Sequence, residues 1–259
     1  MNRKLENAMN LYLHGIRDGH ARAAVMKYTG ARYTQHSTGV ADGVEGFVAF
    51  FEPFLERNRV RDIRIVRAVV DGQYVFLHAS QSLSPGATRW ITMDLFDTDQ
   101  NDKIVEHWDV IAAWRDDTIS GRSVIDGPAE PAGYAPNEEN KALVRSFLVE
   151  VFQNGRLERL DDFVSDDLAQ HDPDLADGRD ALRRSLEGLR ANGTRFAYDY
   201  IFKVIGQGDL VVSYSKVLRG GEELAAFDIW RVAGDRVVEH WNNVEVIPPR
   251  SEWVNSGKF

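Results

Sequence analysis

The stretch Lys103-Ile104-Val105-Glu106-His107-Trp108-Asp109-Val110 decides how this chain is read, because its centre returns as Val238-Glu239-His240-Trp241, 133 residues later. Working outward, Met93-Asp94-Leu95-Phe96 is echoed by Phe227-Asp228-Ile229-Trp230, with the aspartates 134 apart. Gln35-His36 is echoed by Gln170-His171, and Gly43 by Gly178, both at an offset of 135. Offsets that drift so little mean an internal duplication with short loop insertions. The repeat is far too long for a solenoid unit, so each copy should be a whole domain. The expected division is 1–118 as a first domain, 119–136 as a linker, 137–250 as a diverged second domain and 251–259 as a C-terminal tail. The linker reading rests on DDTISGRSVIDGPAEPAGYAPNEEN, rich in Pro, Gly and acids.

Composition narrows the function classes. Of 259 residues, 43% are hydrophobic, enough for two cores. The net charge of −9, from 31 basic and 40 acidic residues, argues against nucleic acid and anionic membrane partners. The chain has no cysteine, which excludes disulfides, thiolate metal sites and a cysteine nucleophile. The N-terminus lacks the apolar run of a signal peptide, and no stretch is long and apolar enough for a membrane span. A cytoplasmic location is the default.

Within copy one, Leu5, Ala8, Met9, Tyr12, Leu13 and Ile16 recur at helical spacing, and Asp18-Gly19 stops the helix. A short helix over 20–28 and a third over 44–57 follow. Strands are expected over 61–70, 74–83, 89–97 and 103–113, with turns at Asp71-Gly72 and Ser84-Pro85-Gly86. Copy two repeats the order, with helices over 138–153, 157–164 and 179–191, then strands over 195–205, 209–218, 223–232 and 235–247. Helices followed by an antiparallel meander define an α+β fold. The expectation is two tandem cone-shaped domains, each a curved antiparallel sheet wrapped around helices with a pocket between. The tail is expected as an arm laid on the surface, anchored by Trp253.

These residues resemble a known group. Tyr33-Thr34-Gln35-His36, the Gly-containing turn, Asp94-Leu95-Phe96 and Glu106-His107-Trp108-Asp109 are similar to the SnoaL-like polyketide cyclases of the nuclear transport factor 2-like superfamily. The resemblance covers nearly all of both copies. It implies the same α+β cone, whose members range from cyclases, isomerases, dehydratases and C–C lyases to non-catalytic scaffolds. It also implies chemistry without metal or other cofactor, and dimers packed sheet to sheet. Ketosteroid isomerase shares the cone more distantly. Its helix tyrosine and strand aspartic acid match Tyr12 and Asp94, whereas the loop that carries its base reads His36-Ser37 in copy one and His171-Asp172-Pro173 in copy two.

Each candidate has a plain structural alternative. Asp94 alternates with Trp90, Thr92 and Phe96, a face that should desolvate the acid and favour its neutral, proton-donating form. The alternative is a structural acid paired with Arg89, and Asp228 with Arg231 repeats the choice. His107 shares a face with Asp109, so the two can act as a proton-transferring imidazole and its orienting carboxylate; a satisfied core histidine is the alternative. His36 and His171 follow the second helix at the expected pocket mouth, or bond loop backbone. His78 is a pocket candidate, replaced by Tyr214 in copy two. Tyr12, Phe147 in copy two, is either an oxyanion donor or core. His36, His78 and His107 invite a metal reading, but their spacing matches no ligand motif, and none is expected. Trp108 and Trp241 are expected to pack on the opposite sheet face.

Copy one keeps Tyr12, His36, His78, Asp94, His107 and Asp109, whereas copy two keeps His171, Asp228 and His240 of that set and places Asn242 where Asp109 stands. The expectation is therefore a cofactor-independent acid–base enzyme, a lyase or isomerase of aldol or retro-aldol type, with chemistry in copy one. Its catalytic set would be Asp94, His107, Tyr12, His36 and Asp109. Binding would involve His78, Trp90 and Phe96, and in copy two His171, Tyr214, Asp228 and His240. The partners are a hydrophobic, oxygenated small molecule and, as an internal pseudo-dimer with room for further homo-oligomerisation, the second copy. The alternative is a non-catalytic binding or assembly module. Convergence of His36, Asp94 and His107 in one cavity would favour the enzyme.

Overall fold

The computed structural model describes residues 2–83 and 88–259. It divides into two compact units, Met1–Trp114 with Pro248–Phe259, and Arg115–Ile247. Among the described residues no helix is long and apolar enough to cross a membrane.

In the first unit, α1 (Arg3–Asn10) starts at Asn2, whose side chain accepts the Lys4 N–H at 3.1 Å. The helix continues as a π turn, Leu11–Arg17, which carries Tyr12. Helix α2 (Ala21–Tyr28) runs straight into β1 (Thr29–Gln35), and α3 (Gly43–Arg57) follows. Strands β2 (Asp62–Asp71), β3 (Tyr74–Ser82), β4 (Arg89–Thr98) and β5 (Ile104–Ala113) complete a five-stranded sheet in the order β1-β5-β4-β3-β2. The helices bury Leu11, Val25, Phe47 and Leu55 against Val75, Leu77 and Phe96 of the sheet. Apolar residues on one face of each element drive this layering.

The second unit repeats it: α4 (Glu138–Phe147), a π turn (Leu148–Gln153), α5 (Leu160–Phe163), β6 (Val164–Gln170), α6 (Arg179–Ala191) and strands β7 (Phe196–Gln207), β8 (Leu210–Arg219), β9 (Glu222–Ala233) and β10 (Arg236–Val246). Its sheet order, β6-β10-β9-β8-β7, is the same. The α+β class and the duplication therefore hold.

Two expectations need correction. The sheets are mixed rather than antiparallel, because β1 and β6 pair parallel with β5 and β10. These strands escape a turn-based reading because no Gly or Pro separates β1 from α2 or β6 from α5. The expected Ser84-Pro85-Gly86 turn lies outside the described residues.

The tail is the second correction, since it does not simply lie on the surface. The Val254 N–H donates to Thr38 O at 3.0 Å, and Asn255 Nδ2 donates to Ser37 O at 2.6 Å and Val40 O at 2.9 Å. Gly257, at φ +95°, packs so closely on the Trp253 ring that any side chain there would collide with it. This delivers Lys258 into the interior, where it is 1% exposed. The segment after β5 docks on the second unit in the same manner. The Ile119 N–H donates to Pro173 O at 2.9 Å, and Ser120 Oγ to Gln170 O at 2.7 Å. Much of the expected linker is thus part of the second unit.

Candidate active site

Alternation along β4 and β5 sorts the candidates. Trp90, Thr92 and Phe96 of β4, and His107, Asp109 and Ile111 of β5, line a cavity of about 280 Å³ under the helices. Tyr12, Tyr33 and the α3 aromatics Phe47, Phe50, Phe51 and Phe54 close it. The walls are largely apolar, and Tyr12, His107 and Asp109 are among the polar groups that line it.

Asp94 sits behind this lining rather than in it. Its Oδ1 accepts the Tyr12 hydroxyl at 2.8 Å and faces His107 Nε2 at 3.0 Å, while Oδ2 is buried without a hydrogen-bond partner among the described residues. Burial pushes the Asp94 carboxyl above its usual range, although the bond and charge of His107 oppose the rise. The expected raised acid is present, but Arg89 is not its partner, and it reaches the cavity through Tyr12 and His107. Burial, reinforced by the Asp94 charge, lifts the Tyr12 phenol well above its ordinary value, so it stays protonated as a donor.

Gln35 orients the imidazole. Its amide nitrogen donates to the Tyr33 hydroxyl at 2.8 Å, which leaves its carbonyl oxygen to accept from His107 Nδ1–H at 2.9 Å. Both ring nitrogens of His107 are therefore occupied by protein, and the ring stacks on Phe96 at 4.7 Å. The expected orientation of His107 by Asp109 is replaced by the Gln35–His107–Asp94 chain. Gln35 was legible as half of the repeated Gln-His pair, yet its neighbour His36 drew the attention.

Asp109 belongs to a different ion pair. Lys258 Nζ donates to Asp109 Oδ1 and to its backbone carbonyl, each at 2.9 Å, and both side chains are buried. Burial alone would raise the Asp109 carboxyl, but the Lys258 ammonium, with His107 and Ser37, holds it below the usual carboxylate range. Nothing in the spacing of a lone lysine one residue from the end marks it for this role.

His36 and His78 do not join the site. His36 lies on the far side of β5, stacked on Trp108 at 4.8 Å, between Gly257 O at 2.6 Å and Glu106 Oε1 at 2.9 Å. A register in which His36 extends β1 beyond Gln35 turns it away from the cavity. His78 points to the opposite face of β3, with Nδ1 2.8 Å from Arg67 Nη1. The three histidines thus form no common metal site. Asp94, His107 and Asp109 do place ligand-type atoms within 4.8 Å of one another. The Lys258 ammonium already occupies the cation position on Asp109, so this donor set does not fit a metal ion.

The second unit preserves the buried chain. His240 Nε2 faces Asp228 Oδ1 at 3.0 Å, and Gln170 Oε1 accepts from His240 Nδ1–H at 2.8 Å. Phe147 removes the helix hydroxyl, but Tyr198 of β7 donates to Asp228 Oδ2 at 3.0 Å and replaces it from the sheet side. That tyrosine was missed because position-by-position comparison pairs Tyr198 with Ile63. His240, Tyr198, Trp230, Asn242 and Asp172 line a cavity of about 220 Å³. Tyr214 lies on the other sheet face, stacked on Phe227 at 4.2 Å, and is not a pocket residue. His171 is also outside, stacked on Trp241 at 4.6 Å and 2.9 Å from Glu239 Oε1. Trp108 and Trp241 occupy the opposite face, as alternation requires.

With this geometry in hand, residues 144–240 match the SnoaL-like domain family, so the second unit is a SnoaL-like domain, and the first repeats its architecture as a tandem duplicate. Among solved structures, a candidate polyketide cyclase from Acidithiobacillus ferrooxidans is 18% identical, with 44% of this chain and 91% of that one covered at a TM-score of 0.35. TsrD from Streptomyces laurentii is 14% identical over 42% and 90%, also at 0.35. An NTF2-like protein of unknown function from Cytophaga hutchinsonii is 13% identical over 41% and 89%, at 0.36. No curated protein matches the chain significantly.

Proposed function

We propose that the first unit is a cofactor-independent acid–base enzyme of aldol or retro-aldol type, acting on a hydrophobic, oxygenated and preferably aromatic small molecule. The observation that carries this reading is the buried Asp109–Lys258 pair at the wall of an aromatic cavity, next to a protonated Tyr12. An anionic carboxylate beside a phenol donor supplies both halves of carbonyl chemistry. Asp109 accepts a proton from the hydroxyl or α-carbon of the substrate. The Tyr12 hydroxyl turns its proton from Asp94 Oδ1 to the oxygen on which negative charge develops. His107 and Gln35 are positioning residues that hold Asp94 in place. The aromatic walls exclude water and hold a flat substrate.

Cyclisation, dehydration and C–C cleavage share this proton traffic. The benzaldehyde–acetone aldol adduct separates two of them, since cleavage releases benzaldehyde and acetone, and dehydration yields benzylideneacetone and water. Turnover of such β-hydroxy ketones should be lost in Asp109→Asn while the folded signature and ligand binding persist. Unchanged turnover in Asp109→Asn would overturn the assignment. Binding of these ketones without turnover in the wild type, across a panel of chain lengths, would favour a binding module.

A further inference from the structure

The second unit has exchanged the ion pair of the first for a lone acid. Asn242 stands in place of Asp109. Ser123 takes the place of Gly257, its carbonyl 2.7 Å from His171 Nδ1 as Gly257 O is from His36, and the residue that follows is the buried Val124 rather than a lysine. Both members of the Asp109–Lys258 pair are therefore lost together. A carboxylate reappears one loop away, because Asp172 stands where the first unit has Ser37.

Asp172 lines the 220 Å³ cavity beside His240 and Asn242. Its Oδ1 accepts the Asp174 N–H at 2.8 Å, and among the described residues no lysine or arginine forms an ion pair with it. The two other charged lining residues, Asp174 and Arg219, are exposed at the rim, and Arg115 pairs with Asp174 at 3.3 Å. Asp172 is half-buried, and a carboxylate turned toward leucine and aromatic walls is stabilised by a cation that meets it. The first unit meets that need with Lys258 from its own chain, and the second does not.

We propose that the second unit is a separate ligand site that takes a hydrophobic primary amine, whose ammonium group binds Asp172 as Lys258 binds Asp109. The apolar body lies against Leu182, Leu186 and Trp230, and the head group sits between Asp172 and Asn242. A neutral isostere fills the same volume but leaves the carboxylate without its partner, so selectivity comes from charge rather than shape.

The test uses the full chain and a matched pair of probes, phenethylammonium and phenylethyl alcohol, followed by NMR shifts of backbone amides. The amine should perturb residues around Asp172 and His240 and bind about tenfold or more tightly than the alcohol. In Asp172→Asn, and independently in Asp172→Ser, which restores the residue type of the first unit, the preference should vanish while alcohol binding remains. Asp235→Asn, at an exposed acid in the turn between β9 and β10, should leave the preference intact. Equal affinities in the wild type, amine shifts confined to the first unit, or a preference that survives in the folded Asp172 variants would each overturn the proposal.

Discussion

The two units share a buried chain and differ in the carboxylate above it. In both, a glutamine fixes a histidine and the histidine faces a strand aspartate, at 2.9 and 3.0 Å in the first unit and 2.8 and 3.0 Å in the second. Above that floor, the first unit has Asp109 held anionic by Lys258, and the second has Asp172 pushed up by burial, with the Asp174 N–H opposing only in part. Equivalent scaffolds thus carry acids of opposite setting, because one arm brings in Lys258 and the other Val124. Divergence between the copies includes the charged groups that face the cavity, whereas the buried glutamine, histidine and aspartate are kept.

The largest expected effect is on chemistry. Asp109→Asn should lower turnover by on the order of 10²-fold or more, measured on the β-hydroxy ketone that the wild type converts best. Asn242→Asp should leave that turnover unchanged. Equal losses in both would mean that the two cavities work as one.

Stability comes next. Lys258→Met should destabilise the first unit by about 3–5 kcal/mol, since it leaves a buried carboxylate unpaired. Adding Asp109→Asn should recover most of the loss and mimic the Asn242 and Val124 pairing of the second unit. Chemical denaturation of the single and double variants decides this. A single variant as stable as the wild type would show that the pair is not buried in solution. The sign with pH follows from the directions given. The folded-state pKa of Asp109 is depressed, so its contribution is present above the ordinary carboxylate range and is lost as pH falls through the depressed value. Asp94 is raised, so its contribution is present at low pH and fades as pH rises through the raised value.

A smaller effect should come from moving the phenol. Tyr12→Phe should cost stability by about 1 kcal/mol through one lost hydrogen bond, and turnover by about tenfold or more. Combining it with Ile63→Tyr, the arrangement of Tyr198, should recover the bond to Asp94 and little of the turnover, because the hydroxyl then approaches from the sheet. Full recovery of turnover would mean that Tyr12 serves only to hold Asp94. The smallest effect on catalysis belongs to His36, which stacks on Trp108 outside the cavity. His36→Gln should leave turnover within about twofold of the wild type; a loss as large as that expected for Asp109→Asn would return His36 to the catalytic set.

Periodicity made part of this legible. The duplication, the four long strands of each copy and the faces of Asp94, His107, Asp109, Trp90 and Phe96 all follow from repeat spacing and two-residue alternation. Alternation cannot say which face of β3 is inward when both are apolar, and His78 went to the wrong one. It also stops at strand ends, where His36 follows Gln35 and points away. Lys258 and Tyr198 were hidden for another reason. Each completes a site through contacts between distant parts of the chain, Lys258 across 149 residues and Tyr198 across 30. Neither leaves a local pattern.

The comparison rests on the protonation of the buried Asp94 and Asp109 and the half-buried Asp172, which carboxyl-carbon NMR titration of the intact chain reads directly. Asp109 should titrate below the ordinary value of about 3.9, and Asp94 and Asp172 above it. In Lys258→Met, Asp109 should move upward and the other two should stay. If Asp109 titrates above Asp172, or does not respond to the loss of Lys258, the two units do not have opposite settings and the account fails.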